Sequence, residues 1–161
     1  MLAAASVGFA ADIPATLQVP NGEKPVLRAH ASGWQIYVCG TEADGKPKWT
    51  LKGPDADLKD AKGDIIGHHS AGPTWKYKDG SEVTGKAVAH LDSPDPGSIP
   101  WLLLTATGHS GTGTFASVTS IQRLHTQGGQ PPAATECDAS KPGHEARSRY
   151  TADYYFYAAA K

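Results

Sequence analysis

The sequence predicts an all-β fold, a single-domain antiparallel β-sandwich or barrel of about eight to ten strands joined by Gly/Pro-rich loops. Three observations carry that reading. Eighteen glycines and twelve prolines in 161 residues mark many turns and exclude a helix bundle or coiled coil. Apolar residues recur with period two rather than 3.6. Asp-Gly pairs fall between the alternating runs, where hairpin turns need residues tolerant of positive φ.

Taken along the chain, residues 1–11 are small and apolar and stop at Asp12. They read as the hydrophobic part and cleavage site of a secretory signal peptide. No basic residue precedes them, the first being Lys24, so a short N-terminal helix is the alternative. Residues 12–161 are read as one β domain. Residues 27–31 form a first short strand. In residues 33–39, Trp34, Ile36 and Val38 share one face and Gln35, Tyr37 and Cys39 the other, with Trp34 expected in the core. Residues 48–51 follow the Asp44-Gly45 turn, and residues 54–58 allow one helical turn. Residues 65–69 form another strand. Residues 74–78 and 81–91 flank Asp79-Gly80 and predict a hairpin with a two-residue turn. Residues 101–107 are a continuous apolar run with Trp101 as a core residue, followed by strands at 113–126 and 150–158. Residues 94–97 and 128–132 are loops rather than linkers, since neither flank could bury a core alone.

Fifteen Lys+Arg against sixteen Asp+Glu leave a net charge of -1. That balance offers no footprint for nucleic acid, and no polybasic run suits an anionic membrane. The apolar stretches fall short of the roughly 20 residues of a membrane span. Two cysteines, Cys39 and Cys137, form an even count in a chain read as secreted or periplasmic, which favours one disulfide; two separately buried thiols are the alternative.

Several motifs approach chemistry and miss it. Residues 80–87 match phosphate-loop spacing until Ala87 stands where the Mg²⁺-binding hydroxyl belongs. Residues 108–112 end in Thr112 where a nucleophile elbow requires Gly. Of seven histidines, the neighbours His68 and His69 point to opposite faces of a strand and cannot chelate together. No cofactor is evident, and a single metal held by histidines from different strands stays open. Trp34, Trp49, Trp75 and Trp101 exceed the needs of a small core; Trp75, beside Gly72-Pro73, suits either the core or a pocket wall.

Seven phrases run in order: Gln35-Ile-Tyr-Val-Cys39, Gly67-His-His-Ser-Ala-Gly-Pro-Thr-Trp75, Asp79-Gly-Ser81, Pro100-Trp-Leu-Leu-Leu104, Ile121-Gln-Arg123, Thr126-Gln-Gly-Gly129 and Tyr150-Thr-Ala-Asp-Tyr154. Together they resemble domain-of-unknown-function family 3455, over residues 13–157. The resemblance implies export, a β-rich domain, a paired Cys39 and Cys137, and no established activity.

The expected function is an exported, non-catalytic binding module for a small molecule or glycan. The alternatives are an enzyme using His69 as base and Asp79 as orienter, or a His-bound metal, and a structural cell-envelope protein that self-assembles through exposed strand edges. The expected ligand site is the segment of residues 67–81, with His69, Trp75, Asp79 and Ser81, faced by Gln122, Arg123 and Tyr150. A titratable base, an aromatic wall and a carboxylate in one short stretch are the mixture a binding site needs.

Overall fold

Strand β1 (Glu23–Thr41) pairs antiparallel with β2 (Pro47–Lys59) along one side and with β8 (Glu145–Ala159) along the other. Between them lie β3 (Ile65–Ser70), β4 (Thr74–Tyr77), β5 (Glu82–Leu91), β6 (Trp101–Ser110) and β7 (Val118–Gly128). Each pairs with the next, so the sheet closes into an eight-stranded antiparallel barrel. This computed structural model describes residues 13–160, and the expected signal segment lies outside the described residues.

Closure depends on matching small residues to large ones across the seam. Ala29, Ala31 and Gly33 of β1 face inward opposite Tyr154, Ala152 and Tyr150 of β8. The space that β1 leaves is filled by Tyr150, Tyr154 and Phe156 together with Trp75, Phe115 and Ile121. Gly33 is required by close approach, because a Cβ there would stand 2.3 Å from the Asp55 carbonyl oxygen on β2. A second apolar cluster lies outside the barrel. Leu17, in a single 3-10 turn at Ala15–Leu17, packs there with Leu124, Tyr155 and Tyr157.

Several expectations need correction. Residues 54–58 continue β2, since Ala56 and Leu58 turn inward while Asp55 and Asp57 turn outward, which is strand alternation. The inward face of residues 33–39 is Gly33, Gln35, Tyr37 and Cys39; Trp34 lies outside the core under the Arg149 guanidinium. Trp101 joins the outer cluster rather than the barrel core. The 74–91 hairpin turns through three residues, because Tyr77 N–H donates to the Ser81 carbonyl and Gly80 takes φ +91°. Residues 27–31 and 33–39 are one strand, and residues 113–117 are loop before β7.

Cys39 and Cys137 form a disulfide. It fastens the long β7–β8 connection to the C-terminal part of β1. Cys39 N–H also donates to the His144 carbonyl, and Tyr37 Oη donates to the Gly129 carbonyl. Among the described residues no helix is long and apolar enough to cross a membrane.

Candidate functional site

Strand alternation separates two adjacent histidines and thereby creates the site. On β3, His68 points outward, 3.1 Å from Asp55 and 3.6 Å from Asp57. His69 points inward and is 3% exposed. Its ring lies parallel to Trp75 on β4, centroids 4.4 Å apart, and meets Tyr154 edge-on at 5.0 Å. His69 Nδ1 is 2.8 Å from the Thr74 carbonyl. A carbonyl only accepts, so Nδ1 carries the proton and Nε2 presents a lone pair. Burial, with a smaller push from the nearby Arg123 charge, lowers the pKa of His69 to about 3. The imidazole is therefore neutral.

Beside His69 one end of the barrel holds a cavity of about 320 Å³. That is room for roughly ten waters at about 30 Å³ each, or one molecule of monosaccharide size. Pro54, Pro73, Leu102 and Leu104 supply apolar wall; Gln35, Lys52, His69 and Arg123 supply the polar groups. Arg123 reaches this space because β7 alternation turns it inward across from Leu102 and Tyr154. Its Nε and Nη2 donate to the Pro100 carbonyl at 3.0 and 2.8 Å, which orients the guanidinium plane. Gln35 is 3% exposed, and its Oε1 is buried with no hydrogen-bond donor. A buried polar oxygen left this way costs roughly 1–3 kcal/mol, so its presence beside a cavity calls for an explanation.

The chain matches the model of one protein family, described as "Protein of unknown function (DUF3455)", over residues 20–158. It belongs to this family. No curated protein and no solved structure matches the chain. The resemblance carried by the seven phrases over residues 13–157 thus agrees with a match over nearly the whole barrel.

The expected site residues separate into four places. His69 and Arg123 line the cavity together. Trp75 stands behind His69, 1% exposed, as the floor of the site rather than its wall. Tyr150 is in the core, its hydroxyl 3.3 Å from that of Tyr154, and burial pushes its pKa far up. Asp79 and Ser81 lie at the other end of β4, after Tyr77. Asp79 Oδ1 accepts from Ser81 Oγ and N, and Oδ2 accepts from Thr114 N; these bonds, led by the Ser81 hydroxyl, lower its pKa to about 2. The pair ties the β4–β5 turn to the β6–β7 loop. Asp79 therefore does not orient His69; the Thr74 carbonyl does. Gln122 turns outward under the N-terminal segment, donating to the Leu17 carbonyl at 2.7 Å and accepting from Tyr157 Oη at 2.8 Å.

Sequence reasoning missed Gln35. A lone amide between Gly33 and Tyr37 on the face that carries Cys39 was the available signal, because cysteine is among the most buried residue types. It also missed a polar cluster on the outside of β8. Asp153 accepts from His30 Nδ1 at 2.9 Å, His125 Nδ1 at 2.8 Å and Arg28 at 3.3 Å. Burial raises the Asp153 pKa, but these donors outweigh it and the net shift is downward. His125 has φ +52° within a β7 bulge that aims its ring at this carboxylate. A hollow of about 470 Å³ borders Arg28 and His30. Its neighbouring carboxylate is fully engaged, whereas the barrel-end cavity is lined by Arg123 and by Gln35, whose Oε1 has no donor, so that cavity is the better candidate. Among the described residues no group of three or more His, Cys, Asp or Glu side chains is placed to hold a metal ion.

Proposed function

We propose that the protein is an exported, non-catalytic binding module that takes a small molecule or a single glycan unit in the end of its barrel. One observation carries the reading: Gln35, whose buried Oε1 has no donor, lines a cavity together with His69 and Arg123. A ligand hydroxyl or N–H would complete that oxygen, and the two prolines and two leucines suit the C–H face of a small ring. Secretion or a periplasmic location is supported by the disulfide, which persists in oxidising compartments.

The enzyme reading is weaker on physical grounds. A general base works best with a pKa near the operating pH, and His69 is held at about 3. Assembly through strand edges also lacks its means, because β1 pairs on both sides and the closed ring leaves no edge strand.

Trp75 supplies the reporter, since it stacks on the histidine that lines the cavity. Titration of intrinsic fluorescence with monosaccharides, sugar acids and small metabolites is expected to show saturable change for at least one compound. No response in fluorescence or melting temperature across the series overturns the proposal.

A further inference from the structure

Resting on the binding-module reading above, we infer that the ligand of the interior cavity carries a carboxylate, held by Arg123, on a small hydroxylated frame such as a sugar acid. The argument starts from charge. Among the described residues Arg28 pairs with Asp153 and Arg147 with Asp55, while Arg149 lies over Trp34 and donates to Ser32. Arg123 is half-buried and has no carboxylate of the described residues within salt-bridge distance. Lys52, also at the cavity, is matched by Glu145. The groups that feel the Arg123 charge are Tyr37, His69, Tyr150 and Tyr154, whose pKa shifts all favour the neutral form. The cavity therefore carries one uncompensated positive charge against apolar walls, an arrangement that is costly unless an anion completes it.

The anion's chemistry follows from the donors. Two of the guanidinium nitrogens hold the Pro100 carbonyl and the Tyr154 hydroxyl is a further hydrogen-bond partner, which leaves the N–H groups not engaged by these two for a ligand. A planar carboxylate fits such donors, and one positive charge balances it. A phosphate dianion would call for a second cation, and the only other one at the cavity is committed to Glu145. The remaining polar groups, Gln35 Oε1 and His69 Nε2, are both acceptors. They require donors on the ligand. A carboxylate together with hydroxyls suits all three, and a cavity of about 320 Å³ accommodates a frame of one ring or a short chain.

The test compares D-glucuronate and D-galacturonate with D-glucose and D-galactose, by calorimetry and tryptophan fluorescence, on the wild type, Arg123→Gln and Arg123→Lys. The wild type is expected to bind an acid at least tenfold more tightly than its neutral counterpart. Arg123→Gln is expected to erase that preference, while Arg123→Lys keeps its direction with weaker binding, having charge without the fork. Circular dichroism checks that each variant is folded, and the wild-type comparison decides by itself if a variant is not. Equal binding of acid and neutral sugar, or a preference that survives in folded Arg123→Gln, overturns the carboxylate and leaves the binding module standing. No binding by any of the four compounds overturns this inference, and the module falls only if the broader compound series fails as well.

Discussion

Replacing Gln35 with Met separates stability from function at one atom. The side chain is 3% exposed and its Oε1 has no donor, so the unliganded protein bears the desolvation cost of that oxygen without return. Such a cost is about 1–3 kcal/mol. Methionine has a similar length and comparable rotamer entropy, and it has no strong hydrogen-bonding atom to leave unmet. Allowing for imperfect repacking, Gln35→Met is expected to stabilise the unliganded protein by about 1–2 kcal/mol. At about 2–4 °C per kcal/mol for a chain of this size, the melting temperature rises by roughly 2–8 °C. Urea denaturation should show a higher midpoint at unchanged slope. The same variant should bind the cavity ligand at least tenfold more weakly, having lost the acceptor. A lower or unchanged midpoint means that Oε1 is already engaged and the reasoning fails. A higher midpoint with undiminished affinity means that Gln35 does not serve a ligand.

His69 predicts a particular acid limb. Its pKa is about 3 when folded against 6.5 as the ordinary value, so between those pH values the unfolded chain binds more protons than the folded one. The stabilisation is complete above pH 6.5 and is lost as pH falls toward 3, with an upper bound of about 5 kcal/mol for full burial. His69→Phe should flatten this limb in pH-dependent urea titrations, and an identical pH profile would refute the assignment. The disulfide spans 98 residues, and its removal in a Cys39→Ala, Cys137→Ala double variant should cost about 4–5 kcal/mol on the chain-entropy account. Thiol titration of the native, unreduced protein should find none. Gly33→Ala places a methyl group against the β2 backbone and should lower stability by about 1–3 kcal/mol or prevent folding; an unchanged urea midpoint would show that β1 and β2 do not approach so closely.

Much of the architecture was legible in the residues themselves. Period-two alternation and Asp-Gly turns are local signals, and they placed the strands and the 74–91 hairpin because backbone geometry dictates both within a few residues. The even cysteine count also favoured pairing Cys39 with Cys137, and the structure removes the alternative of two separate thiols. Alternation states that two faces differ, however, and does not say which one is inside. On residues 33–39 the larger residues Trp34, Ile36 and Val38 suggested the core, yet the barrel took Gly33, Gln35, Tyr37 and Cys39. The reason is volume. The β8 rings and Trp75 fill the interior, and β1 must present small residues opposite them for the ring to close.

The site divides in the same way. His69 stood out as a titratable base just before the Gly72-Pro73 interruption and close to Trp75, and Arg123 as a polar residue within an apolar strand. Asp79 and Ser81 were equally near in sequence, but four residues of β4 carry them to the far end of the strand, where they hold a turn to a loop. Gln122 was separated from Arg123 by a single step of alternation and faces the opposite side of the barrel wall. The sequence by itself determined the β class, most of the strands and the sites of the Asp-Gly turns, and it favoured the disulfide, since these depend on neighbours along the chain or on counting. Only the tertiary structure decided that Gln35, His69 and Arg123 meet, because ring closure brings together strands β1, β3 and β7, which are 34 and 54 residues apart at these three positions.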